Sequence, residues 1–470
     1  MKIKFIMPKW PMESMWGKMG SGIPSLSLAT IAALTPSDID ISIKYDERSP
    51  INYDEPLDIV AMTGMTPVAK RAYEIAAEFK KRGVYVVMGG IHATLMPDEV
   101  SQHVDTVFVG EGEGIWEEFL EDFKNKRQKK LYKNTNLIDL TKSPVPRLDF
   151  YKGLDPLGIF FPNRISVTKE MGFFLPNIIQ TTRGCPFDCD FCTVTKFFGP
   201  SYRYKSYEQI RREIESMDRT RFRGNEVFFA DDNICCNRQY LKGMCEAITE
   251  YKLDWYCQAT ASVAEDDEAL KYLEKAGCKV FFIGFDSLNQ ESLNDIHKKH
   301  NTVKKYIDTI KKIHDHGISL HGSFMFGFDH DDISVFENFL EFAHKTQLDA
   351  AFLTIVTPFP NTTLFHRLNK ENRIISYDWN KYDISTVVYK PKKMTVEQLQ
   401  EGYYWMFREF HSTKNIFQRL YGHTPSYRIN IGSNLAFKIF GGKAFPKQKN
   451  IERFKKRSTA HNCSYSKKIL

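Results

Sequence analysis

No apolar run in the chain approaches the ~20 residues needed to span a bilayer, and no early segment joins a basic start, an apolar stretch and a small-residue cleavage site. The expectation is a cytoplasmic protein. There is no internal repeat and no low-complexity tract, which excludes a solenoid or a fibrous array. Histidine is missing from residues 1–60, so that stretch has no imidazole to offer a metal. Acidic charge is nearly missing from residues 436–470, where ten Lys and Arg meet one acid, Glu452, so this tail carries +9 of a net +7 and leaves the remainder near −2. The body therefore lacks the basic surface that nucleic acid selects. The tail, which includes Phe454-Lys-Lys-Arg457, reads as a solvated terminus, with peripheral contact to an anionic membrane as the alternative. Nine cysteines are present, and without an export signal their grouping points to metal binding or chemistry rather than disulfides.

With 470 residues, 42% of them hydrophobic, the chain can bury two or three cores. Strand-like runs at Lys2 to Met7, Ile41 to Tyr45, Leu57 to Met62, Val84 to Met88 and Thr106 to Val109 are separated by helical patterns. The clearest helix is Pro67 to Lys81, with Val68, Ala72, Ile75, Ala76 and Phe79 at helical spacing and Gly83 as its stop. This alternation predicts a doubly wound, Rossmann-like parallel domain over 1–125. A Lys-, Asn- and Pro-bearing stretch, 126–174, reads as a linker. A second β/α series follows, with strands at Asn177 to Thr181, Glu226 to Ala230, Trp255 to Thr260, Val280 to Gly284, Leu320 to Phe326 and Ala351 to Val356. It predicts a partial (β/α)6, TIM-like barrel over 175–368, with its chemistry at the C-terminal strand ends. Residues 369–470 read as a small, mostly helical extension built on Thr395 to Phe410.

The most informative segment is Gln180-Thr-Thr-Arg-Gly-Cys185-Pro-Phe-Asp-Cys189-Asp-Phe-Cys192, which directly follows the first strand of the second series. Three close thiols on one Gly- and Pro-shaped loop suit an iron-sulfur cluster, and three rather than four leave one metal position open. A structural zinc site would want a fourth Cys or His nearby, and none lies between Thr193 and Asn233. The C-x3-C-x2-C spacing with Phe191 before the last Cys resembles the signature of the radical S-adenosylmethionine (SAM) superfamily. That resemblance implies that Cys185, Cys189 and Cys192 hold a 4Fe-4S cluster whose open iron chelates SAM, and that reduction yields a 5′-deoxyadenosyl radical. It further implies SAM contacts from Phe191, from Asp231 and Asp232 at the second strand end, from Asp286 and Ser287 at the fourth, and from Gly322 and Ser323 on the fifth. Asp286 replaces the family's usual Glu, and Asn361 stands where relatives carry Gly in a Pro-x-Pro-Gly-Thr segment. Cys235 and Cys236 follow the acidic turn, while Cys245, Cys257, Cys278 and Cys463 read as small buried hydrophobes.

A doubly wound domain ahead of such a barrel is similar to the cobalamin-binding class of the superfamily, on the hopanoid-methylase and anaerobic porphyrin-cyclase side. The residues at its strand ends that the resemblance offers to a corrinoid are Thr63, Gly64, Gly89, Gly90, His92, Gly110, Glu111 and Gly112. The Asp-x-His-x-x-Gly motif that supplies a cobalt ligand elsewhere is absent, so no imidazole is expected on cobalt from it. The implied activity is cobalamin-dependent radical modification of an unactivated carbon, with methylation foremost. The implied partners are a small-molecule or lipid-like substrate and a flavodoxin- or ferredoxin-type electron donor. Two rivals stay open: a cyclase, oxidoreductase or carbon-carbon coupling enzyme without net methyl transfer, and a non-catalytic iron-sulfur or corrinoid sensor.

Overall fold

The computed structural model describes residues 1–19, 25–47, 49–134, 136–151, 177–217, 219, 224–422 and 425–445. Its first sheet is all parallel and contains β1 (Lys2–Met7), β2 (Asp40–Tyr45), β3 (Ile59–Thr63), β4 (Tyr85–Gly89), β5 (Thr106–Val109) and β6 (Leu131–Lys133) in the order β2-β1-β3-β4-β5-β6. Its strands are apolar on both faces because helices cover both. Ile3, Phe5, Ile59 and Ala61 pack with Leu28, Trp116 and Phe119, while the intervening Ile6, Val60 and Met62 pack with Ile75 and Phe79 on the other side. The helix Ala69–Lys80 presents Ala72, Ile75, Ala76 and Phe79 as one buried stripe, as its spacing predicts. The chain leaves β1 for β2 on one side and for β3 on the other, and such a reversal opens a ligand crevice at the strand C-termini.

The second sheet begins at β7 (Asn177–Ile179); a short hairpin of β8 (Thr182–Arg183) and β9 (Arg203–Tyr204) then precedes β10 (Glu226–Phe229). It continues through β11 (Asp254–Ala259), β12 (Cys278–Asp286), β13 (Ser319–Phe326) and β14 (Ala350–Ile355), all parallel, in the order β14-β13-β12-β11-β10-β7. Each strand lies within two residues of its expected place. β7 and β14 are both edges, so the barrel is open. Two helices far apart in sequence pack at the β14 edge. Trp16, in the helix Met15–Met19, stacks on Phe352 of β14 at 6.4 Å and meets Phe437 of the helix Tyr427–Ala444 edge-on at 6.5 Å. The helix Val396–Phe410 starts at a capping box of Thr395 and Gln398, and the region after residue 369 is mainly helical as expected. Among the described residues no helix is long and apolar enough to cross a membrane.

One expectation is corrected. The presumed linker 126–174 supplies β6, which pairs with β5, and its Leu140 and Ser143 carbonyls accept from Gln209 Nε2 on a barrel helix at 2.9 and 3.0 Å. The remainder of that stretch from residue 152, with Pro156 and Pro162, lies outside the described residues, as do Cys463 and the basic tail from 446 on.

A buried knot of charge joins the C-terminal edge of the first sheet to the β8–β9 hairpin beside the barrel. Arg183 Nη1 lies 2.8 Å from Glu111 Oε1 and 2.7 Å from Glu113 Oε1, and Arg203 Nη1 lies 2.7 Å from Glu111 Oε2. Trp379 adds a second link by donating Nε1 to Glu99 at 2.8 Å. Removing one member of a buried set strands the others, which costs about 3–5 kcal/mol. Glu111→Ala is therefore expected to destabilise the chain by that amount in chemical denaturation, and a loss below about 1 kcal/mol, the value of an exposed pair, would contradict the knot.

Candidate active site at the cysteine loop

The cysteine loop starts where β7 ends, at the catalytic rim of the barrel. Gly184 sits at φ +88°, and a Cβ there would lie 2.1 Å from the Ser201 carbonyl oxygen, so only glycine fits the entry to Cys185. A turn donates Cys192 N–H to the Cys189 carbonyl at 2.9 Å, and Val194 N–H points at the Cys192 sulfur at 3.4 Å. The loop is held by a segment that the sequence reading missed, Ile296 to Asn301. Asp190 N–H donates to the Ile296 carbonyl at 3.1 Å, Asp190 pairs with His297 Nδ1 at 2.7 Å, and His300 stacks on Phe187 at 3.7 Å. Lys298 pairs with Asp286 and places its ammonium 5.9 Å from the centre of the Phe191 ring. Asn301 Nδ2 donates to the Gly284 carbonyl at 2.8 Å and so ties this clamp to the end of β12. No motif announces these residues.

Cys185, Cys189 and Cys192 line one cavity of about 1280 Å³. Among the described residues no three His, Cys, Asp or Glu side chains are grouped as they would be around a single metal ion. The chemistry of the three thiols still suits an inorganic core. Burial pushes the Cys189 thiol up to about 12 and the Cys192 thiol to about 11, against the pull of Lys298. Cys185 is drawn down to about 7, first by the neighbouring Cys236 thiol. Buried thiolates need a strongly positive partner, which a cluster provides. Beside them Asn233 lines the same cavity, its amide buried and turned to the Cys185 thiol, where a polar ligand would satisfy its remaining hydrogen-bonding capacity.

The other expected residues divide sharply. Phe191, Asp232, Asp286 and Ser323 line the cavity. Asp232 accepts from Gly184 N–H at 2.9 Å, which fixes it beside the loop, and Asp286 holds a left-handed backbone at φ +64°. Asp231 is corrected. It is fully buried, and its Oδ1 accepts from both the backbone N–H and the hydroxyl of Thr181 and Thr182, so it staples the β7–β8 turn rather than facing SAM. Ser287 is likewise a turn residue, its Oγ accepting from Asn289 N–H at 3.0 Å. Gly322 faces the outer layer, where a Cβ would meet Phe324 at 2.7 Å, because alternation along β13 turns His321 and Ser323 inward instead.

On the first sheet, Thr63, Gly64, Gly89, Gly90 and Gly110 lie at the C-terminal ends of β3, β4 and β5. Gly89 and Gly110 leave the backbone approachable, since an added Cβ would come no closer than 3.4 Å and 3.8 Å to any neighbour, which fits a large flat corrinoid. The helix Ile91–Leu95 packs against Val194–Phe198, just after the cysteine loop, so this edge meets the barrel rim. Three candidates are corrected. His92 is fully buried, with Nε2 3.0 Å from the Tyr73 hydroxyl and Nδ1 3.3 Å from Thr66 Oγ1, so both ring nitrogens are engaged inside the domain. Glu111 is consumed by the charge knot. Gly112 makes room for Ile31, which a Cβ would reach at 2.4 Å.

Comparison with known proteins settles the family. Residues 179–343 match the Radical SAM superfamily, residues 24–120 the B12 binding domain, and residues 362–456 the Domain of unknown function (DUF4070). The chain is 30% identical over 413 residues to bacteriochlorophyllide d C-12(1)-methyltransferase of Chlorobaculum tepidum, covering 87% of each chain. It belongs to the radical SAM superfamily. It is also 23% identical to hopanoid C-2 methylase of Rhodopseudomonas palustris, over 76% of this chain and 66% of that one. The fold is shared with TsrM from Kitasatospora setae, a radical SAM methyltransferase, at a TM-score of 0.67 and 13% identity over 98% of this chain and 99% of that one. The protein is accordingly a radical SAM enzyme whose cofactors are a 4Fe-4S cluster, SAM and cobalamin.

Burial raises the Asp231 carboxyl from its usual 3.8 to about 7, despite its donors. The folded chain therefore holds this proton more tightly than the unfolded one, and its stabilising effect is lost as pH rises through that range. Asp231→Asn keeps the Oδ1 acceptor, so its stability relative to the parent is expected to improve by about 3 kcal/mol between about pH 5 and pH 8, read by urea denaturation. A pH-independent difference would contradict the assignment.

Proposed function

We propose that the chain methylates an unactivated carbon of a large, mainly apolar small molecule. The observation that carries this reading is a single cavity with the three cysteine thiols at one end and aromatic walls beyond them, in a chain that is 30% identical to a methyltransferase. Cys185, Cys189 and Cys192 would hold the cluster. Asp232 and Asn233 offer acceptors and a donor to the charged end of SAM, Asp286 with Lys298 offers a paired carboxylate and ammonium, and Ser323 offers a hydroxyl. Thr63, Gly64, Gly89 and Gly110 are the residues that would take the corrinoid, whereas the space over Gly90 is filled by Thr63 and Gly64, which a Cβ would reach at 2.6 Å and 3.0 Å. When bound, the cluster with SAM supplies a hydrogen-abstracting radical and the corrinoid carries the methyl group. The protein's own part is to keep water from the reacting carbon with Phe187 and Phe191, to hold the polar cofactor groups at fixed positions, and to bring the two sheet edges together. A flavodoxin- or ferredoxin-type donor and a cytoplasmic site complete the reading. We also infer a first domain extending through β6 and a barrel from β7 to about residue 362.

A cyclase reading is favoured by 28% identity to the anaerobic magnesium-protoporphyrin IX monomethyl ester cyclase of Cereibacter sphaeroides, over 77% of this chain and 61% of that one. The stoichiometry of spent SAM separates the two. Methylation is expected to give S-adenosylhomocysteine and 5′-deoxyadenosine in equal amounts per methylated product from anaerobically reconstituted protein, and 5′-deoxyadenosine without S-adenosylhomocysteine would favour the cyclase. Cys189→Ala is expected to lose bound iron and drop both products to background; undiminished iron per chain would remove Cys189 from the cluster.

A further inference from the structure

The helix Tyr427–Ala444 lies in the segment that matches a domain of unknown function, and it has no assigned role. It does not pack merely as a lid on the barrel's outer face. Tyr427, Arg428, Ile429, Ile431 and Leu435 line the same cavity as the cysteines, at the end where Glu226 and Asp254 begin β10 and β11. Two fully buried asparagines pin it there. Asn430 Nδ2 donates to Ser319 Oγ at 2.9 Å and to Asp349 Oδ1 at 3.1 Å, and its Oδ1 pairs with His321 Nε2 at 2.8 Å. Asn434 Nδ2 donates to the Asp349 carbonyl at 2.8 Å, while its Oδ1 accepts from the buried Arg419 at 2.9 Å.

Three features define what this end admits. At about 1280 Å³ the cavity exceeds the roughly 300–1,000 Å³ that one drug-sized ligand needs, so it has room for a second reactant. Its middle is walled by rings, with Phe228 edge-on to Phe282 at 5.9 Å and Phe282 against Phe352 at 5.6 Å. At the far mouth Arg428 is exposed and has no ion-pair partner among the described residues. We propose that this helix is the substrate-selecting floor of the barrel, and that the substrate is a large ring-bearing apolar molecule whose anionic group meets Arg428 while its reacting carbon points to the cysteine end. This rests on the reading of the cavity as the reaction chamber. Aromatic rings on three strands favour a flat ring system over a flexible chain, since flat faces bury area against rings without losing rotational freedom.

The test uses the full-length holoenzyme with protoporphyrin IX, an apolar ring bearing two carboxylates, and its dimethyl ester as probes, followed by fluorescence quenching. The unaltered protein is expected to bind both saturably. Ile431→Trp, which fills the floor, is expected to weaken both by about tenfold or more, and Arg428→Glu, at an exposed site that leaves folding alone, to weaken the acid by about tenfold while sparing the ester. No saturable binding of either probe, unchanged binding by both variants, or equal loss of acid and ester on Arg428→Glu would overturn the proposal. Reductive SAM cleavage by the same unaltered preparation is scored separately. Cleavage without porphyrin binding sinks only this inference, whereas absent cleavage sinks the proposed function itself.

Discussion

The arrangement depends on the buried knot of Arg183, Arg203, Glu111 and Glu113. Arg183 stands two residues before Cys185, and the two glutamates follow β5 of the first sheet. Each charge would be costly to bury alone, so the knot closes only when the C-terminal edge of the first sheet meets the β8–β9 hairpin that flanks the cysteine loop. That single requirement makes two independent ligand edges face one another. The helix Ile91–Leu95 is thereby set against the helix that follows the cysteine loop, and the indole of Trp379 reaches Glu99 across the same boundary. Glu99 is held down to about 2 because His92, Tyr73 and Trp379 together outweigh its burial, so this second link stays ionised at any working pH.

Inside the barrel, strand alternation divides the labour. Residues 226 and 228, 254, 256 and 258, 280, 282 and 284, 321 and 323, and 352 and 354 face the cavity, while their neighbours pack outward on helices. Apart from Val280 and Gly284 the inner set is aromatic or polar, whereas the outer set is mainly aliphatic or aromatic, so one sequence serves both a reaction chamber and a core. β7 and β14 do not meet, and at the β14 edge the helices Met15–Met19 and Tyr427–Ala444 pack on one another and on Phe352. The far end of the chamber is thus set by the region of the chain farthest in sequence from the cofactor domain.

Much of this was legible in the sequence because it is local. The eleven expected strands, the helix with its Ala72, Ile75, Ala76 and Phe79 stripe, and the cysteine loop are all written in spacing. What escaped depends on long-range partners. Nothing local distinguishes Asp231 from Asp232, yet one is spent on Thr181 and Thr182 and the other faces the cavity. Lys298 follows β12 by a dozen residues and gains meaning only from Asp286 and Phe191. β6 is three residues long and lies at a sheet edge, too short to show a period. The helix Tyr427–Ala444 hides its logic because Asn430 and Asn434 are buried while Leu435 and Ile439 are exposed, the reverse of an ordinary amphipathic pattern. Gly322 and Ser323, by contrast, could have been separated by alternation along β13, which turns their neighbour His321 to the cavity as well.

The central claim is that three thiols hold a cluster with one iron left open toward the cavity. Mössbauer spectroscopy of protein reconstituted anaerobically with enriched iron, with and without SAM, tests it most directly. The account predicts that one iron of the four changes its signal on SAM addition while the others do not. A spectrum indifferent to SAM, or a protein that fills the site with zinc in place of iron, would contradict it.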